Sequence, residues 1–185
     1  MSKNNSKIFN IPNVLAFSRI FLSPMMFFFL VNRKLFTNIH DSWLDFFAAF
    51  IFVLASITDF FDGFIARNFN QTTKLGTIID PLADKMLTLA GFLGVMMMGR
   101  ASAWAIFLIL LRELFITGLR VMAAAENISV QASFAGKVKT VTQMLAIGFL
   151  IMDWPFANIF LWISVATTLY SGFEYVLAYF KKTTK

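Results

Sequence analysis

Six apolar runs of about twenty residues, joined by short polar connections, constrain this chain more than any other feature. They cover residues 12–31, 42–66, 75–98, 101–124, 132–152 and 155–180. A helix rises about 1.5 Å per residue, so each run is long enough to cross a hydrocarbon layer about 30 Å thick. Pro12 suits the opening turn of the first helix, where its missing N–H is not needed. A soluble fold is a poor alternative. Only 14% of the 185 residues are charged and 58% are hydrophobic, 24 of them Phe, against about 25% charged in an average soluble domain. A chain this short leaves much of its area facing outward. The expectation is an all-α, polytopic membrane protein with six transmembrane helices. It forms one domain over residues 1–185, with residues 1–10 as a short juxtamembrane segment that could form an interfacial helix. Those first residues are mostly polar, and the run behind them is long enough to span, so no cleavable leader is expected.

Charge sets the orientation. With six spans, Lys3, Lys7, Arg67, Lys74, Lys181, Lys182 and Lys185 fall on one side, and Arg33, Lys34 and Arg100 on the other. The excess of Lys and Arg places both termini in the cytoplasm. A net charge of +6 could suggest nucleic acid. In so apolar a chain these residues instead set topology and meet anionic lipid, and no nucleic-acid partner is expected. There is no cysteine, which excludes disulfides and thiolate metal sites. The single histidine, His40, lies in a polar stretch and reads as a solvated loop residue.

Four of the ten acidic residues fall within one stretch, DFFDGFIARNFNQTTKLGTIIDPLADK, running from Asp59 to Lys85. Ionisable groups at membrane depth are costly and usually mark function. Asp59 and Asp62 are three apart, and Asp80 and Asp84 four apart, so each pair shares a helix face. The short loop between the two helices predicts that they lie antiparallel and adjacent, with the four carboxylates converging. Four anions in a low dielectric repel strongly and call for cations. An all-oxygen donor set suits a hard ion such as Mg²⁺ or Mn²⁺. Two such ions can clamp a pyrophosphate for in-line displacement. Gly63 and Ala66 leave the helix face bare for a substrate group, and Arg67 can grip a phosphate with two parallel hydrogen bonds. The plainer reading, that some of these aspartates only cap helices or pair with Lys74, Lys85 or Arg67, does not explain two pairs at helical spacing.

The stretch fills every fixed position of the pattern D-x-x-D-G-x-x-A-R-x8-G-x-x-x-D-x-x-x-D, with Asp59, Asp62, Gly63, Ala66, Arg67, Gly76, Asp80 and Asp84. In this it resembles the CDP-alcohol phosphatidyltransferases. The resemblance implies that family's six-helix fold, a homodimer, and an active site near the cytoplasmic face. It also implies two divalent ions on Asp59, Asp62, Asp80 and Asp84, with Asp84 as general base. Asn13, Asp62, Gly63, Ala66, Arg67 and Gly76 become the candidate CDP-diacylglycerol contacts. The expected location is the cytoplasmic membrane of a bacterium.

Outside that motif, NIPNVLAFSRI (Asn10–Ile20), RELFITGLR (Arg112–Arg120) and GKVKTVTQM (Gly136–Met144) resemble the branch that uses glycerol 3-phosphate as acceptor. Ala16 stands where that branch commonly has Thr. Glu113 and Arg120 are seven apart on one helix stripe, and Gly136, Lys139, Thr140 and Gln143 share a face with Lys137 offset from it. If these faces converge with the second span, a cationic pocket results. Arg120, Lys137 and Lys139, followed by Arg112 and Arg19, are the candidates for the acceptor's phosphate. Snorkelling of the two lysines to the interface is the alternative. Other acceptors (serine, inositol phosphate, phosphatidylglycerol) remain open within the family, and a cation or proton transporter outside it. Beyond Asp153 the chain reads as apolar and uninformative. Gly91 and Gly94, three apart, do not fit the four-residue spacing of close helix packing.

Overall fold

The structure, a computed structural model, describes residues 11–68, 74–126, 128 and 133–183, and the backbone alone for residues 11, 12, 59–68, 74–78, 80 and 81. The juxtamembrane segment read at residues 1–10 lies outside the described residues. Apart from its connections, the described chain is helical: α1 (Ile11–Val31), α2 (Asp41–Asn68), α3 (Lys74–Met97), α4 (Ala103–Ala125), α5 (Phe134–Ile151) and α6 (Ala157–Thr183), with a 3₁₀ turn at Arg33–Leu35. Each apolar run became one helix, with ends within three residues of those expected. The reason is physical: lipid offers the backbone no hydrogen-bond partners, so an apolar run satisfies its own N–H and C=O groups along its whole length.

Among the described residues, four stretches are long and apolar enough to cross a membrane: Asn13–Val31, Asp41–Thr58, Phe134–Ile151 and Ala157–Thr183. The chain is built as an integral membrane protein. Helices α3 and α4 have the length, 24 and 23 residues, but carry the charges Asp80, Asp84 and Lys85, and Arg112, Glu113 and Arg120. Pro24 removes one backbone hydrogen bond from α1. Just before it, the Ser23 hydroxyl donates to the Arg19 carbonyl at 2.7 Å.

The helices form two compact units, residues 1–97 and 98–185. In the first, α1 is the common partner, packing extensively against both α2 and α3. Its buried stripe repeats every three or four residues: Asn13, Ala16, Arg19, Ser23, Met26 and Leu30. Helices α2 and α3, expected as direct neighbours, touch over only a short stretch among the described residues. Gly94 also departs from expectation. A Cβ placed there would stand 2.6 Å from Leu30 Cδ1, so α1 and α3 approach closely through one glycine and one leucine rather than a paired small-residue motif. At the far end of this unit Arg33 pairs with Asp45 and lies 3.5 Å from Asp41. His40 is exposed at the start of α2, as its polar surroundings suggested, and its Nδ1 accepts from the Ser42 backbone N–H at 3.3 Å.

In the second unit α6 packs against both α4 and α5. Ser133 caps α5 by accepting from the Gly136 N–H at 3.2 Å. Arg100, before α4, donates to the Ile151 carbonyl at 2.5 Å and lies 3.8 Å from Asp153, at the end of α5.

Candidate active site

The motif aspartates occupy the helix ends that the spacing required. Asp59, Asp62, Gly63, Ala66 and Arg67 lie in the last turns of α2, and Gly76, Asp80 and Asp84 in the first turns of α3. The buried residues of α2 (Leu44, Ala48, Phe52, Ala55) recur every three or four positions. Continued at that period, the stripe reaches Asp59, Asp62 and Ala66. On α3, counting back from Leu87 and Ala83, both buried, reaches Asp80 and Gly76 in the same way. These positions continue the helical period of those stripes. The side chains of the motif other than Asp84 lie outside the described residues. Asp84 itself is half-buried beside Ala83, and its backbone carbonyl accepts from the Thr88 hydroxyl at 3.1 Å.

One contact relates α1 to α3: Leu30 meets Gly94. Arg33, in the 3₁₀ turn beyond the end of α1, meets Asp45 of α2. With α2 returning the chain between α1 and α3, counting seventeen residues back from Leu30 and Gly94 pairs Asn13 with Thr77. Asn13, 1% exposed, thus lies within about one helical turn of the level of Gly76. The N-terminal motif and the aspartate motif occupy one end of the unit.

The second unit holds a polar seam. Glu113 Oε1 accepts from Lys139 Nζ at 2.6 Å and from Arg112 Nη1 at 3.2 Å. Arg112 Nη2 also donates to Ser171 Oγ at 2.7 Å. Deeper along the seam, Gln143 Nε2 donates to Thr168 at 2.9 Å, and Thr142 and Thr167 share a 2.7 Å hydrogen bond. Toward the helix ends, Arg120 stacks 5.4 Å from the Tyr175 ring centroid, and Tyr179 donates to Glu126 at 2.8 Å. Lys137 and Arg120 are exposed, while Lys139 and Arg112 are mostly covered. The shared face read for Gly136, Lys139 and Gln143 is the one turned toward this seam. The four acceptor candidates in this unit thus divide into two held by Glu113 and two reaching outward.

Sequence reasoning missed the contribution of α6. Ser164, Thr168, Ser171 and Tyr175 recur every three or four residues, and the first three are buried. That polar stripe in an apolar run was the available signal. Gly172 belongs with it: a Cβ there would meet Arg112 Cγ and Nε at 3.0 Å. Arg112 lies against bare α6 backbone. Gly172→Ala should therefore displace the guanidinium from Ser171 and lower turnover about tenfold, the tenfold being equivalent to about 1.4 kcal/mol. The melting temperature should change little. Equal turnover in the purified variant would show that the Arg112 position is immaterial.

With buried polar seams on helices of an integral membrane protein, and the full aspartate pattern on adjoining helix ends, the chain defines a membrane enzyme class. The CDP-alcohol phosphatidyltransferase pattern matches residues 9–170, and the chain belongs to that family. Among its relatives are proteins named CDP-diacylglycerol–glycerol-3-phosphate 3-phosphatidyltransferase. The Bacillus subtilis protein is 34% identical, over 91% of this chain and 94% of its own. The Rickettsia typhi protein is 36% identical, over 91% and 96%. The Escherichia coli protein is 38% identical, over 92% and 94%.

Proposed function

We propose that this chain transfers the phosphatidyl group of CDP-diacylglycerol to sn-glycerol 3-phosphate, giving phosphatidylglycerol phosphate and CMP. The observation that carries this is the complete aspartate pattern at the facing ends of α2 and α3, in a chain whose relatives of matching length bear that enzyme's name. The chain acts as a single catalytic domain with six transmembrane helices. Both termini and the site lie on the cytoplasmic side of a bacterial membrane, and the protein works as a homodimer. Large exposed apolar side chains such as Phe21, Trp104 and Leu114, each about three-quarters exposed here, suit lipid or a second copy.

Four carboxylates and no nitrogen or sulfur donor fit two hard divalent ions, Mg²⁺ or Mn²⁺, held by Asp59, Asp62, Asp80 and Asp84. Bound there, the ions would supply charge neutralisation at the pyrophosphate. The remaining work belongs to the chain. Asn13, Gly63, Ala66 and Gly76 form the surface for the CDP headgroup, and Arg67 takes a phosphate. Asp84 accepts the proton from the 1-hydroxyl of glycerol 3-phosphate. That oxygen bonds to the β-phosphorus, and the bond from phosphorus to the CMP oxygen breaks, with CMP leaving. Lys137 and Arg120 bind the acceptor's own phosphate. Lys139 and Arg112, anchored on Glu113, complete that set of cations. Positioning and charge stabilisation supply most of the catalysis in phosphoryl transfer.

Labelled glycerol 3-phosphate should pass into the organic phase only when the protein, CDP-diacylglycerol and a divalent ion are all present. Label remaining in the aqueous phase under those conditions would refute the reaction. Lys137→Ala should raise the KM for glycerol 3-phosphate about tenfold or more, the loss of one charge-assisted phosphate contact, while leaving that for CDP-diacylglycerol within about twofold. Equal rises in both would remove Lys137 from the acceptor site.

A further inference from the structure

Arg19 is a charged side chain that the mechanism leaves unused. It sits on α1 at 0% exposure, and it is engaged rather than free. A guanidinium buried in a membrane helix requires negative charge nearby, because its desolvation is otherwise uncompensated. The register shows which charge that is. Eleven residues back from Leu30 is Arg19, and eleven back from Gly94 is Ala83, between Asp80 and Asp84. The Leu30–Gly94 contact therefore brings Arg19 level with the turns of α3 that hold Asp80 and Asp84.

The composition of the first unit agrees. Its acidic residues are Asp41, Asp45, Asp59, Asp62, Asp80 and Asp84. The first two are at the opposite end, with Arg33. The other four are the motif. The stripe positions flanking Arg19 are small: Ala16 and Ala83 are fully buried and Ser23 is 1% exposed, which leaves room for a long side chain. Ser23 is turned back onto its own helix, donating to the Arg19 carbonyl.

We infer that Arg19 is a positioning residue for the aspartate layer, a fixed internal counter-charge that holds the four carboxylates together without metal and moderates their affinity for divalent ions. This rests on the metal-binding reading given above. The physical sign is definite: a cation within the layer relieves repulsion among the carboxylates when no ion is bound, and repels an incoming divalent ion. Removing it destabilises the metal-free protein and tightens metal binding. A residue that only filled space would alter stability equally with and without metal.

The test is Mn²⁺ binding and thermal unfolding of the full chain in detergent, with and without chelator. The unsubstituted protein should bind Mn²⁺, and Asp80→Asn should weaken that binding. If the unsubstituted protein binds no divalent ion, the metal reading fails and this inference with it. Given binding, Arg19→Met should lower the Mn²⁺ dissociation constant about tenfold and should lose more melting temperature in chelator than in saturating Mn²⁺. Arg19→Lys, which keeps the charge, should resemble the parent in both. Arg19→Gln serves if the Met variant does not fold. An unchanged or raised dissociation constant in the neutral variants would overturn the inference, as would the same tightening in Arg19→Lys. A raised KM for CDP-diacylglycerol with unchanged metal affinity would also overturn it, making Arg19 a substrate contact.

Discussion

Asp59→Ala and Asp80→Ala should each reduce CMP release at least about a thousandfold, a barrier increase of about 4 kcal/mol, in protein that still purifies as a folded membrane enzyme. The expected size follows from what the carboxylates do. Asp59 lies on α2 and Asp80 on α3. Two ions held by Asp59, Asp62, Asp80 and Asp84, as proposed, would lose a ligand when either helix stops contributing. Phosphoryl transfer leaves little covalent chemistry for the protein, so misplacing the ions removes most of its advantage. The measurement is CMP release at saturating Mg²⁺, repeated at tenfold higher Mg²⁺ to separate weakened binding from lost chemistry. Turnover near that of the parent in either variant would sink the two-metal proposal while leaving the family membership untouched.

Glu113→Ala should have the second largest effect, and on two quantities together. One carboxylate serves two cations, Lys139 at 2.6 Å and Arg112 at 3.2 Å, and the three side chains are 20%, 14% and 9% exposed. Breaking a buried pair by removing one partner costs about 3–5 kcal/mol because the remaining charge is stranded. Some water reaches this cluster, so a loss of about 2 kcal/mol is expected. The acceptor KM should rise more than the donor KM, because Lys139 and Arg112 lose the anchor that aims them. Thermal unfolding and the two KM values check this, and Glu113→Gln should recover part of the stability through hydrogen bonds alone. A loss of stability with both KM values unchanged would make the seam purely structural.

The two halves of the molecule differed in how much the sequence revealed. Helix limits were legible because lipid makes run length and apolarity decisive; Pro12, the Arg33–Asp41 connection and Ser133 mark ends where the periodicity stops. The aspartate pattern was legible because it is local: helical spacing alone sets Asp59 with Asp62 and Asp80 with Asp84. What pairs with what across helices was not. That α1 mediates between α2 and α3 is a property of packing, and the higher apolarity of α1 relative to α6 does not reveal it. Gly94, set aside on its spacing from Gly91, makes its close approach to a leucine, and the rule for small-residue motifs looks for two glycines. In α6, Thr167, Thr168, Ser171 and Gly172 barely lower the apolarity of a spanning run. Their importance emerges only from Arg112 and Gln143 on other helices, which supply the hydrogen bonds. Lys139 reads the same in sequence whether it snorkels or is held, and the 2.6 Å contact with Glu113 decides for the latter.

The measurement that tests the central claim most directly is CMP release from CDP-diacylglycerol by the purified protein with Mg²⁺. Glycerol 3-phosphate, serine, inositol phosphate and phosphatidylglycerol would be offered one at a time, alongside Asp84→Asn. Release with glycerol 3-phosphate alone, lost in Asp84→Asn, is the expected result. Release with a different acceptor would contradict the acceptor assignment, and no release with any of the four from folded protein would contradict phosphatidyl transfer itself.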